Sequence, residues 1–201
     1  MSGRGSNMEA LVRADIPAQI AGVISNRADA PGLRFASNSR IATSIVDDRD
    51  FSTREAFESA LSSAVDEHSP AAVALAGFMR ILSDAFVERY RGRLLNIHPS
   101  LLPAFPGVHT HRRALEEGVK LHGCTVHFVT RRLDRGPIII QAVVPVRGGD
   151  SEATLAARVL RQEHRIYPLA VRWLIEDRLV IENGIVRVSG EYVSQALFAE
   201  E

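Results

Sequence analysis

The chain has 201 residues, 46% hydrophobic and 24% charged, a balance that fits a globular protein and excludes intrinsic disorder. That length suits one good-sized domain and is too short for two joined by a linker. Lys and Arg number 24 and Asp and Glu number 24, so no net basic field exists to attract nucleic acid or an anionic membrane. The single cysteine, Cys124, excludes an intramolecular disulfide framework and a cysteine-based zinc site. No apolar run approaches the roughly 18 residues of a membrane span. Met1 to Asn7 lacks an apolar signal core, so a cytoplasmic location is expected.

In chain order, Ser2-Gly3-Arg4-Gly5-Ser6-Asn7-Met8-Glu9 reads as a glycine-rich turn entering a helix capped by Ser6 and Glu9. Residues 20–25 and 41–46 follow as β-branched strands. Ser52-Thr53-Arg54-Glu55 is a capping box, and Ala56, Phe57, Ala60, Leu61, Ala64 and Val65 recur at helical spacing behind it. Residues 71–76 predict a strand, Ser83 caps a helix through Tyr90, and Leu94 to His98 predict another strand. A helix over 109–117 stops at Gly118, and strands follow at 125–129 and 138–144. Asp150 caps a long helix over about 151–177, bent near Pro168. Residues 179–182 and 185–188, joined by Asn183-Gly184, predict a terminal hairpin, and the last dozen residues carry little signal. Alternating strands and helices imply an open, mostly parallel α/β sheet covered on both faces, in a single domain over 1–201.

Three constellations carry chemistry. The glycine-rich turn offers free backbone N–H groups and a positive helix end to a phosphate, although nothing precedes it as a strand; a bland terminus is the other reading. Asn96 and His98 lie two apart in a strand and share a face, while Leu95 and Ile97 take the other. Pro99 ends the pairing there, at the sheet edge where open α/β folds bind ligands. An amide that donates to an oxyanion beside a proton-moving imidazole suits acyl-type transfer, against a purely structural Asn and His. Asp134 sits on a tight turn, Leu133-Asp134-Arg135-Gly136-Pro137, where a carboxylate favours a protonated imidazole or simply makes the turn.

Other features point less far. His109-Thr110-His111, with His122 and His127, has no carboxylate or cysteine partner at ligand spacing, so surface or capping histidines are expected. Cys124 reads as an inert small hydrophobe. Arg131, Arg132 and Arg135 form a basic cluster that is either solvated or meets an anionic substrate tail.

Taken together, these stretches resemble the folate-dependent formyltransferase family, and within it the phosphoribosylglycinamide formyltransferases, or GAR transformylases. The matching words are Ser2 to Asn7, Leu75 to Leu82, Asn96 to Pro103, Pro106 to His111, His122 to Val129, Asp134 to Gln141, Gln162-Glu163-His164 and Tyr167-Pro168. They keep unbroken order over roughly residues 2 to 188. The resemblance implies a Rossmann-like formyltransferase fold, with the phosphate loop at 2–7, the folate and catalytic half at about 75–145, and the long helix behind. It implies His98 as general acid, Asn96 as the group polarising the formyl oxygen, and Asp134 as the carboxylate raising the histidine's pKa. Gly5, Ser6, Asn7 and Glu163 match the phosphoribosylglycinamide site. Arg54, Met79, Arg80, Ile81 and Leu82, with Asn96 and the loop Thr130, Arg131, Arg132, Leu133 and Asp134, match the folate side. The formyl donor is then 10-formyltetrahydrofolate, a cosubstrate, with no metal required. The partners are small molecules, not nucleic acid or membrane, and the protein is a monomer or homodimer.

A formyltetrahydrofolate hydrolase shares the Asn, His and Asp set but brings an extra N-terminal domain, for which this length leaves no space. A methionyl-tRNA formyltransferase appends an RNA-binding domain, against which length and neutral charge argue. A degenerate, non-catalytic member is the third alternative, favoured by one departure. The family begins with an apolar strand just before the glycine loop, and that first strand is missing here. Either the chain start is set too late or the sheet has lost a central member. The expected consequences are low stability and a phosphate loop without its anchor.

Overall fold

The computed structural model describes residues 1–190 and 193–199. Helix α1 (Ser6–Arg13) starts directly from Gly5, which holds the N-cap at φ 79°, a left-handed conformation open to glycine. Among the described residues no side chain caps α1, so the expected Ser6 and Glu9 cap does not form. Strand β1 (Gly22–Ser25), helix α2 (Gly32–Asn38) and strand β2 (Ala42–Ile45) follow. Helix α3 (Arg54–Asp66) buries Phe57, Leu61 and Val65, one face at i, i+4 and i+8. Its cap is Thr53, whose hydroxyl accepts from the Ala56 N–H, one residue later than the predicted Ser52 box.

Strand β3 (Val73–Leu75), helix α4 (Asp84–Arg89) capped by Ser83, and strand β4 (Leu94–His98) agree with the sequence reading. Helix α5 (Thr110–Glu116) ends before Gly118, whose φ of 65° suits a helix stop. Strand β5 (Leu121–Phe128) begins well before the expected Thr125, and β6 (Ile138–Pro145) follows. Helix α6 (Glu152–Ile175) runs through Pro168, capped reciprocally by Ser151 and Thr154. Asp150, the predicted cap, instead takes both Nη groups of Arg158 at 2.7 Å, which hold its carboxyl well below the usual range. The β7 (Leu179–Glu182) and β8 (Ile185–Val188) hairpin forms as expected, and β9 (Ala196–Phe198) lies in the stretch that carried no signal.

The central sheet runs β3-β4-β5-β6-β9, beside a separate parallel pair β1-β2. β3 with β4 and β6 with β9 are parallel, whereas β5 is antiparallel to both its neighbours. Only residues 129–137 join β5 to β6, too few for the crossover that a parallel pair needs. One face packs against α1 and α6 through Leu95, Ile97, Val126, Ile140 and Val144. The other packs Leu94 against Phe57, Leu61 and Val65 of α3 and Phe86 of α4. Each such buried side chain contributes about 1.5–3 kcal/mol. The Tyr167 hydroxyl locks α6 to the sheet, 3.0 Å from Leu75 O and 3.2 Å from Leu95 O.

A slot lies between β1 and β3, where the expected first strand would run. Among the described residues β1 pairs only with β2 and β3 only with β4, and their free edges face each other across a cavity of about 360 Å³. Gly22 to Ile24 and Val73 to Ala76 form its walls, with Leu11 and Val171 on one face and Leu61 and Phe86 on the other. Met1 and Ser2 bridge its upper end. The Met1 ammonium donates to Ile24 O at 2.8 Å, Asn26 N–H donates to Met1 O, and Ser2 N–H donates to Gly77 O. Burial pushes that ammonium's pKa down to about 6. The expectation of an unanchored loop is thus corrected: these backbone bonds tie the glycine turn to both sides of the slot.

Candidate active site

The alternation of β4 places Leu95 and Ile97 in the core under α6, while Leu94 joins the opposite cluster. Asn96 and His98 share Leu94's face, as the period of two requires. Asp134 reaches them from the 129–137 turn at φ 51°, a left-handed position that Asp tolerates. A Cβ on Gly136 would stand 1.7 Å from Phe128 O, so the turn can lie this close to β5 only with glycine there. Asp134 Oδ2 accepts the Gly107 N–H at 2.8 Å, which fixes the carboxylate.

Both ring nitrogens of His98 face acceptors. Nε2 lies 3.0 Å from Phe105 O, and a carbonyl can only accept, so Nε2 carries a hydrogen. Nδ1 stands 3.6 Å from Asp134 Oδ2, longer than a hydrogen bond and within ion-pair range. His98 and Asp134 are both buried.

A second group forms at the start of α1. Asn7 Nδ2 donates to Glu163 Oε2 at 2.7 Å, joining residues from opposite ends of the chain. Among the described residues Asn7 Oδ1 is buried with no hydrogen-bond partner. Burial raises the Glu163 pKa and the Asn7 hydrogen bond opposes that rise. Gly5 and Ser6 lie directly beside this pair, so all four residues expected at one substrate end come together.

A third group lines a cavity of about 530 Å³ that includes Arg54, Phe57, Met79, Arg80 and Ile81. Met79 and Ile81 are 70% and 66% exposed there, large apolar surfaces left uncovered. Arg54 Nε donates to Glu58 at 3.1 Å, and Arg80 pairs with Asp48 at 3.3 Å. A polar chain links this cavity to the glycine turn: Met79 N–H donates to Ser2 Oγ, Ser2 to Asn26 Oδ1, and Asn26 Nδ2 to Asp48. Leu82 stands apart, lining the slot instead. Thr130 Oγ1 donates to Arg132 O within its own loop, Arg131 pairs with Glu88 at 3.0 Å, and Leu133 is exposed.

The histidines differ most from expectation. His122 and His127 are 1% and 2% exposed, buried residues and not the surface groups predicted. His127 stands opposite Asn96 across the β4–β5 pairing, its Nε2 3.3 Å from Asn96 Nδ2 and 3.8 Å from Asp134 Oδ1. The one available signal was its place two residues after Thr125 in an otherwise apolar strand. Cys124 is fully buried, and burial pushes its thiol far up, so it stays protonated. Among the described residues no three His, Cys, Asp or Glu side chains group as a metal site, and no helix is long and apolar enough to cross a membrane.

In sequence and fold the chain is similar to known proteins. A family model described as formyl transferase matches residues 1–171. The chain is 50% identical over 195 residues to phosphoribosylglycinamide formyltransferase of Escherichia coli (strain K12), covering 95% of this chain and 92% of that one. It is 39% identical over 205 residues to the Haemophilus influenzae phosphoribosylglycinamide formyltransferase, covering 100% of this chain and 97% of that one. The crystal structure of phosphoribosylglycinamide formyltransferase from Anaplasma phagocytophilum superposes with a TM-score of 0.93 at 42% identity, covering 100% of this chain and 96% of that one. The chain belongs to the formyl transferase family.

Proposed function

We propose that this protein transfers the formyl group of 10-formyltetrahydrofolate to the primary amine of 5′-phosphoribosylglycinamide, a step of purine biosynthesis. The convergence of Asn96, His98 and Asp134 at the end of β4, in a chain of this family, carries the proposal. The amine nitrogen attacks the formyl carbon, and the carbonyl π pair moves onto oxygen. Asn96 Nδ2 donates to that oxyanion, and a protonated His98 stabilises it, with the Nδ1 proton held against Asp134. The oxyanion then collapses, the bond to folate N10 breaks, and N10 takes up a proton. The attacking nitrogen releases one, so the formyl group moves with no net change in protons.

The free N–H groups at Gly5 and Ser6 take the acceptor's phosphate, where the helix end is positive. Asn7 Oδ1 gains the donor it lacks, and Glu163 receives the polar groups of the ribosylglycinamide. The cavity bearing Met79 and Ile81 suits the flat ring of a folate, and the Arg54 and Arg80 guanidinium groups suit its carboxylate tail. The 130–134 loop completes the folate side.

The test gives purified protein both substrates and follows each. Formylated acceptor should appear in equal amount to the tetrahydrofolate released, and donor consumption should require the acceptor. Equal consumption without acceptor would make the protein a hydrolase, and no consumption under either condition would make it non-catalytic.

A further inference from the structure

His127 has a role that follows from hydrogen-bond polarity. Its Nδ1 lies 2.9 Å from Phe128 O. A backbone carbonyl has no proton to give, so Nδ1 must carry the ring hydrogen. In a neutral imidazole Nε2 is then a bare acceptor. Asn96 Nδ2 stands 3.3 Å from it, within reach of one amide hydrogen. If Asn96 were turned over, its Oδ1 would face that lone pair, two acceptors with no hydrogen between them.

We propose that His127 is a positioning residue: its Nε2 lone pair holds Asn96 in the one amide orientation that leaves the second Nδ2 hydrogen free to donate. This rests on the reading above, in which Asn96 meets the formyl oxygen. The groups facing the ring are Asn96, Asp134 with Oδ1 at 3.8 Å, and His98. Burial, the largest influence, lowers the ring's pKa, and His98 adds to that while Phe128 O and Asp134 oppose it. A neutral ring is what the arrangement needs, because a proton on Nε2 would attract Oδ1 and reverse the amide.

Full-length variants His127→Leu and His127→Gln separate positioning from packing, since Gln can return an acceptor. His127→Leu should lower kcat by about 30-fold or more, as for loss of an oriented oxyanion donor. KM for both substrates should stay within about threefold, and His127→Gln should recover about tenfold. On an Asn96→Ala background, His127→Leu should cost less than about twofold more. Equal losses in the Leu and Gln variants, or losses that multiply with Asn96→Ala, would overturn the proposal. Nitrogen NMR of the wild-type imidazole decides it independently of activity and of how the variants fold. Hydrogen on Nδ1 with a bare Nε2 is expected near neutral pH, and hydrogen on Nε2 would overturn it. Absence of formyl transfer by the wild type would instead defeat the functional reading and leave the NMR result standing.

Discussion

His122 lies edge-on to Phe105, ring centroids 5.8 Å apart, with its Nε2 3.2 Å from His111 Nδ1. Burial first, and His111 second, push its pKa from 6.5 down to about 4. The unfolded chain therefore binds the proton first as pH falls. The contribution of a neutral His122 is whole above about pH 6.5 and is lost progressively towards pH 4. At full loss it amounts to about 3 kcal/mol. His111, His127 and His164, lowered mainly by burial, act in the same direction. Urea melts at pH 7 and pH 4.5 should show a smaller loss for His122→Phe, which keeps the edge contact without the titration. Equal losses in variant and wild type would contradict this account. Residue types and spacing predicted none of it, because solvation depends on which strands cover the ring.

At the scale of elements, the turn carrying Asp134 depends on Gly136. Gly136→Ala would force its Cβ into Phe128 O, so either β5 or the turn must move. Such overpacking costs about 1–3 kcal/mol. Since Asp134 moves with the turn, kcat should fall by about tenfold or more while KM for the ribosyl acceptor stays nearly constant. A variant with wild-type melting temperature and kcat would show that the close approach is not needed. Elements with local signals were legible in the sequence: the alternation of β4, the Ser83 cap of α4, and the Asn183-Gly184 hairpin. The same alternation put Asn96 and His98 on one face, and the family words then supplied their roles. Elements defined by partners were not legible. α2 is too short to show a helical period, β9 is a strand only because β6 pairs with it, and the early start of β5 depends on the β6 register. His127 escaped for the same reason, since its significance lies in the Asn96 pairing.

At the scale of the whole molecule, the slot between β1 and β3 is a gap in the core, about 360 Å³ in volume. Its two unpaired edges and apolar walls have the form of a central-strand position. An extended apolar segment joined ahead of Met1 would replace the buried ammonium with a peptide N–H at the Ile24 carbonyl and pair with both edges. With several side chains buried at about 1.5–3 kcal/mol each, the gain should be on the order of 5 kcal/mol. The melting temperature should then rise by about 10–20 °C. A Gly/Ser extension of equal length should leave it unchanged. Because Met1 and Ser2 already anchor the glycine turn, acceptor affinity should improve less than stability does. Equal melting temperatures for the apolar and Gly/Ser extensions would mean that the slot does not accept a strand.

In the proposed reaction His98, supported by Asp134, stabilises the oxyanion that forms when the amine attacks the formyl carbon. The most direct test of that role is the single-turnover rate of formyl transfer by His98→Ala, with both substrates saturating and their dissociation constants measured separately. The rate should fall by about a hundredfold or more while each dissociation constant stays within about threefold. Transfer by His98→Ala at nearly the wild-type rate would contradict the account.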